Sequence, residues 1–293
     1  MDTLCIDSNT KISVVGLGLM GTAITERLLE AGYRPRVWNR TPEKAQPLIA
    51  RGASWTDRPF VGSSLVILSL YCSDVVDQLL RKWQTDLHAH QIIIDTTTGD
   101  PAASVEFASR LAALDACYLE APISGSSEQT RQGQATVIAA GDRSGFAACQ
   151  AIWKILGRET FYVGPSGNAA KMKLVTNLVL GLNRAALAEG LAFAESIGME
   201  LPSALEVLRG SGAYSKQMDS KGPKMIQRNY EPQARLTQHL KDVRLILHDA
   251  NETGLALPLT SAHEQLLEKA EALGWGDSDN SAVLEAIRAV EKG

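Results

Sequence analysis

Residues 11–21, Lys-Ile-Ser-Val-Val-Gly-Leu-Gly-Leu-Met-Gly, decide the fold. A short apolar run at 11–15 ends in a G-x-G-x-x-G turn that opens a helical pattern, and this order gives the glycines a physical meaning. Gly16 permits the tight turn, and Gly18 lets a pyrophosphate approach the backbone. Gly21 lets the helix pack on the sheet with its leading N–H groups facing the anion. Gly16, Leu17, Gly18, Leu19, Met20 and Gly21 are therefore the expected phosphate-binding turn of a dinucleotide cofactor. A glycine-rich turn without ligand is the plainer alternative, and strand, turn and helix in succession disfavour it.

Working outward, short apolar runs alternate with helical patterns. Strands are expected at 36–38, 65–70, 92–95, 116–120 and 135–140, and helices at 22–31, 41–51, 74–83 and 102–114. Such alternation predicts an α/β domain, a doubly wound parallel sheet of the Rossmann type covered on both faces. Past the Gly-Pro-Ser-Gly of 164–167 the pattern turns helical: 168–197, 202–209, 236–253, 261–273 and 281–291. The expected division is a cofactor-binding domain at 1–164 and an all-α domain at 165–293. The stretch 211–232, with two glycines and two prolines, reads as the longest irregular region.

The end of the second strand bears on cofactor choice. An NAD-selective site usually places Asp or Glu there for the ribose 2′-hydroxyl, whereas this chain has Asn39, Arg40 and Thr41. A guanidinium attracts a 2′-phosphate and bonds it in a fork, so NADP(H) is the expected cofactor. A solvated surface arginine at position 40 would read the same way in the sequence.

The helix from Asn168 is apolar on every side, which predicts burial between other elements. Lys173 and Asn177, four residues apart, share one face of it. An ammonium there can donate to a carbonyl oxygen as hydride reaches the carbon, with the amide fixing it or binding substrate. Lys171 competes from a different face, and periodicity does not choose between the two lysines. So long an apolar helix also predicts a homodimer or homotetramer that shares its surface.

A net charge of −4 without a Lys/Arg run gives no reason to expect nucleic acid. No apolar run approaches the ~20 residues of a membrane span. Cys5, Cys72, Cys117 and Cys149 are widely spaced, form no C-x-x-C pair, and read as reduced, mostly buried thiols rather than metal ligands. With a polar first ten residues, the cytoplasm is the expected compartment. His88 and His90 read as surface residues, and Trp153 and Phe161 as packing between domains. Tyr71 and Tyr214 are weaker candidates for the cleft.

These motifs together resemble the β-hydroxyacid dehydrogenase family, which includes 3-hydroxyisobutyrate dehydrogenases and glyoxylate/succinic semialdehyde reductases. The turn at 16–21 is similar to the family's GLGxMG, and Asn39-Arg40-Thr41 to the NRT of its NADP-using members. Asp95-Thr96-Thr97-Thr98 resembles the segment at the nicotinamide end. Glu120-Ala121-Pro122-Ile123-Ser124-Gly125-Ser126 resembles the substrate-binding D-A-P-V-S-G-G. The Lys173-x-x-x-Asn177 pair resembles the catalytic helix motif, and Lys241-Asp242 the late K-D pair.

The resemblance implies Lys173, Asn177 and Ser124 as catalytic residues, and Ser124, Gly125, Ser126, Lys173, Asn177 and Lys241 against a small carbonyl or hydroxy-acid substrate between the domains. It adds Leu70, Thr98 and Lys241 to the cofactor contacts, with Lys173 as proton donor or acceptor and Asn177 orienting it. Three positions depart from the pattern: Glu120 for Asp, Ser126 for Gly, and Ala234 for a common Phe, the last implying a larger substrate pocket. Imine reductases share the architecture but place Asp or Tyr at the lysine position, and an ammonium repels an iminium substrate. A cofactor-binding scaffold without chemistry is the third reading.

Overall fold

Four-residue runs such as Ile12-Ser13-Val14-Val15 are buried along their whole length, so they form strands covered on both faces. The computed structural model describes residues 6–7 and 10–289. Cys5 and the last two residues of the helix expected at 281–291 lie outside the described residues. Two compact units divide the chain, Met1–Lys173 and Leu174–Gly293.

In the first unit, β1 (Ile12–Val15), α1 (Leu19–Glu30), β2 (Arg36–Trp38), α2 (Gln46–Ile49), β3 (Ser54–Trp55) and β4 (Leu65–Leu68) come in that order. Then follow α3 (Ser73–Lys82), β5 (Ile92–Asp95), α4 (Pro101–Ala112), β6 (Cys117–Glu120), β7 (Ile123–Ser124) and α5 (Ser127–Arg131). β8 (Thr136–Gly141), α6 (Arg143–Ala148), α7 (Gln150–Leu156) and β9 (Glu159–Tyr162) complete it. The spatial order is β3-β2-β1-β4-β5-β6-β8-β7, with β9 on β8. The order reverses at β1, where doubly wound sheets bind nucleotides at their carboxyl edge.

The sheet departs from the all-parallel expectation on one side. β8 runs antiparallel to β6 and β7. Leu119 and Glu120 pair with Gly141 and Ala140, and Ile123 and Ser124 with Val137 and Thr136, in one continuous register. β6 and β7 are therefore one strand interrupted at Ala121-Pro122, where proline has no N–H for the ladder.

α8 (Asn168–Ser196) begins in the first unit and continues into the second. The second unit holds α9 (Leu201–Gly210), α10 (Lys216–Ser220), α11 (Gly222–Gln227), α12 (Leu236–Glu252), α13 (Pro258–Ala270) and α14 (Val283–Arg288). Leu187, Leu191, Leu240, Val243, Leu267 and Leu284 meet in its core. The stretch 211–232 is not wholly irregular, because α10 and α11 lie in it: Pro223 sits in the first turn of α11, where its missing N–H costs no helical hydrogen bond.

Three expectations are corrected. α8 is not buried all round: Met172, Val175 and Val179, and further along Phe193 and Ile197, are exposed, within each group at three- or four-residue spacing, a stripe along one side. Phe161 is exposed, since β9 alternates its side chains between faces, while Trp153 packs in the first unit's own core. Of the described cysteines, all free, only Cys149 is buried. His88 and His90 are exposed.

Candidate active site

The glycines of the turn divide by what surrounds them. Gly16 sits at φ +96°, and a Cβ on it would lie 2.3 Å from the Ser69 carbonyl oxygen; one on Gly21 would lie 1.9 Å from the Gly16 carbonyl oxygen. Those two are required by packing. A Cβ on Gly18 would meet nothing within 4 Å, and Gly18 caps α1 without a side-chain acceptor. The leading amides of a twelve-residue helix thus lack a side-chain cap beside open space, which fits the pyrophosphate of a dinucleotide.

Asn39 braces this turn. Its Oδ1 accepts from the Leu17 N–H at 2.9 Å, and its Nδ2 donates to the Thr41 carbonyl at 2.9 Å. Arg40 is exposed and makes no ion pair among the described residues, so its guanidinium is available to an anion.

The loops after β4 and β5 are tied through Thr97. Its hydroxyl accepts from the Leu70 N–H at 3.1 Å, and its own N–H donates to Asp95 at 2.9 Å. Tyr118 donates to the other Asp95 oxygen at 2.7 Å. Burial pushes the Asp95 carboxyl up to about 6 despite these donors, and neighbouring Glu120 adds to the rise. Thr98 follows, half-buried.

Glu120 opens the next layer. It is 2% exposed and accepts the N–H groups of Gly167 (2.5 Å), Ala169 (3.0 Å) and Ala170 (3.1 Å), so a strand-end carboxylate caps α8. Burial raises its pKa, and the three amides oppose the rise.

Lys173 follows in the second turn of α8. It is 7% exposed, and its Nζ donates to the Ile123 carbonyl at 2.8 Å. Lys171 is exposed, so burial separates the two lysines that periodicity left equal. The anchor is in β7, directly before Ser124, whose half-buried hydroxyl has no hydrogen-bond partner among the described residues. Gly125 has φ +153°, and a Cβ there would press on Ala135 and Gln129. Ser126 is engaged as a helix cap: its hydroxyl accepts from the Gln129 N–H, and its own N–H donates to Gln129 Oε1 at 2.9 Å.

In the second unit, Asn177 Nδ2 donates to Asp242 Oδ2 at 2.9 Å, and the Lys241 ammonium lies 2.8 Å from Asp242 Oδ1. Sequence reasoning missed Asp242 as the link between Asn177 and Lys241, although its place beside the lysine was in view. It also missed the helix-capping role of Glu120, whose only signal was a carboxylate ending an apolar strand. Among the described residues no group of three His, Cys, Asp or Glu side chains is placed to hold a metal.

A glycine turn opening a helix, a buried lysine and a polar strand end are the features expected of a nicotinamide-dinucleotide-dependent oxidoreductase. The family described as the NAD binding domain of 6-phosphogluconate dehydrogenase matches residues 11–164, and that of NADP-dependent 3-hydroxyisobutyrate dehydrogenase matches residues 167–287. Glyoxylate/succinic semialdehyde reductase 1 of Arabidopsis thaliana is 32% identical over 95% of this chain and 98% of its own. The human cytokine-like nuclear factor N-PAC is 32% identical over 95% of this chain but only 52% of its own. A 3-hydroxyisobutyrate dehydrogenase structure from Salmonella typhimurium superposes with a TM-score of 0.87 over 94% of this chain and 99% of that one, at 24% identity. The chain belongs to the NAD(P)-dependent hydroxyacid dehydrogenase family typified by 3-hydroxyisobutyrate dehydrogenase.

Proposed function

We propose that this chain is an NADPH-preferring reductase that exchanges hydride with a small aldehyde, keto acid or β-hydroxy acid, using Lys173 as proton donor and acceptor. The supporting observation is the Lys173 ammonium, buried and held 2.8 Å from the Ile123 carbonyl in the segment that carries Ser124 and Gly125. A bound nicotinamide supplies the hydride. Lys173 stabilises the developing charge on the substrate oxygen and protonates it. Ser124 and Gly125 hold the substrate's acid group, and Lys241, steadied by Asp242, adds positive charge. Asn177, with its amide nitrogen bonded to Asp242, steadies the ammonium one helical turn away. Arg40 receives the 2′-phosphate, while Asn39 and Thr41 shape the loop around it.

The test is NADPH consumption with succinic semialdehyde and with glyoxylate, running Lys173→Ala beside the parent. Turnover is expected to fall by about 10²–10⁴-fold with cofactor affinity unchanged. Equal losses of turnover and cofactor binding overturn the role of Lys173. NADPH binding without turnover of either aldehyde, or of a cyclic imine, favours the scaffold reading, which the similarity to a protein named as a nuclear factor keeps in view.

We propose further that the molecule is a homodimer or homotetramer. Val175 and Val179 (52% and 51% exposed) and Phe193 and Ile197 (64% and 56%) leave an apolar stripe on α8 for a second copy. A monomer in dilute-solution scattering ends that reading. The proposed compartment is the cytoplasm, in keeping with the free thiols of Cys72, Cys117 and Cys149; no helix among the described residues is long and apolar enough to cross a membrane.

A further inference from the structure

The helical unit holds a cation for which the described residues supply no counter-charge of its own. Arg184, midway along α8, is fully buried, and none of its three guanidinium nitrogens has a hydrogen-bond partner among the described residues. Burial lowers its pKa only to about 10, so it stays charged at neutral pH.

The carboxylate whose field reaches it is Asp279, and that group is already committed. Asp279 Oδ1 accepts from Lys221 Nζ at 2.8 Å and from the Ser281 hydroxyl and N–H at 2.8 and 3.1 Å. Its Oδ2 accepts from Lys221 at 2.9 Å and from the Gln233 N–H at 3.0 Å. Lys221 is itself only 5% exposed, so two buried cations share one carboxylate.

His263 adds no charge, because burial and the field of Arg184 push it down to about 3. Its Nε2 lies 3.1 Å from His239 Nε2, and its Nδ1 has no partner among the described residues. The local balance is one uncompensated positive charge, and folded proteins do not leave such a charge buried and unpaired.

We propose that Arg184 holds a small monovalent anion, a halide or a small carboxylate, inside the helical unit. The guanidinium fork matches a carboxylate in two parallel hydrogen bonds and takes a halide between two N–H groups. Its sequence neighbours Asn183 and Leu187 line a cavity of about 140 Å³ together with Leu208, Ser215 and Met218, and Arg184 itself is not among the lining residues. The buried Ser215 hydroxyl on that cavity also lacks a partner among the described residues, so a polar occupant beside α8 would satisfy it. Water is the competing occupant, and Gln217 Oε1 and Asn280 Oδ1, acceptors without partners among the described residues, would serve it.

The experiment follows the chloride NMR line width and the melting temperature of the intact chain during chloride titration, with sodium gluconate, too large for the site, as the ionic-strength control. The parent is expected to broaden the chloride line saturably and to melt about 2–4 °C higher at saturation. Arg184→Met, which keeps the volume and removes the charge, is expected to do neither. Acetate that displaces the broadening assigns the site to carboxylates, and broadening that survives acetate assigns it to halides. If the parent and Arg184→Met respond alike, or chloride acts no differently from gluconate, water alone satisfies Arg184 and the proposal fails. Should Arg184→Met not fold, the urea-unfolded parent replaces it as the control, and equal line widths folded and unfolded have the same meaning.

Discussion

Arg40 stands just past β2, exposed and with no acidic partner among the described residues, directly after an asparagine whose side chain is spent on bracing the glycine turn. A charge-assisted contact to a 2′-phosphate contributes about 1.5–3 kcal/mol. Arg40→Ala is therefore expected to lower the NADPH-over-NADH ratio of kcat/KM by about ten- to a hundredfold and to leave thermal stability unchanged. An unaltered ratio would make Arg40 a solvated surface residue. At this scale the sequence was informative about residue type and weak about surroundings. Lys173 and Lys171 are chemically identical and two positions apart, and burial joins the motif resemblance in distinguishing them. Ser126 stands inside the substrate motif, yet Gln129 engages both its hydroxyl and its N–H. Arg184 lies in a helix expected to be buried, yet nothing in the sequence showed that its guanidinium would go without a partner among the described residues.

The element on which the proposed chemistry depends is α8, and its start is fixed by a group on another element. Glu120 collects three N–H groups that would otherwise lie unsatisfied in a buried place. Glu120→Ala removes all three acceptor contacts and is expected to cost about 3 kcal/mol in urea unfolding, through unsatisfied donors and a lost favourable charge at a helix N-terminus. Glu120→Gln retains an acceptor and is expected to lose less, with turnover falling in the same order as Lys173 loses its fixed approach to Ile123. Equal stability of parent and Glu120→Ala would mean that the three amides find other acceptors. Some elements were legible: β2 and β5 fall where the sequence placed them, and α12 begins at the expected Leu236. β3 and β7 are two residues each, too short for alternation to register, and α10 and α11 are single turns of helix in a stretch rich in turn formers.

For the molecule as a whole, composition described an ordinary acidic chain and gave no hint that several of its charges are buried. Strand–helix alternation foretold the doubly wound order, because apolar periodicity is a local property; the pairing of charges across strands is not local and stayed hidden. Asp95 and Glu120 are register partners on β5 and β6 and are almost wholly buried, so each disfavours ionisation of the other. The folded pKa of Asp95, about 6, lies above its unfolded value, so the folded state binds that proton more tightly. Its contribution to stability is full below the unfolded pKa and is lost as pH rises through about 6; raised Glu120 acts in the same direction. Asp95→Asn cannot ionise and escapes the Asp95 part of this loss. Urea unfolding of both chains between about pH 4 and pH 7.5 is expected to show the variant gaining on the parent by about 2 kcal/mol across the range, one pKa unit corresponding to about 1.4 kcal/mol and the unfolded group being already about half ionised at pH 4. The gain should centre between the unfolded and folded pKa values, whatever fixed cost the variant bears for losing the acceptor of Tyr118. A difference that stays constant with pH would mean that water reaches the pair and that the carboxyl of Asp95 titrates as it does in the unfolded chain.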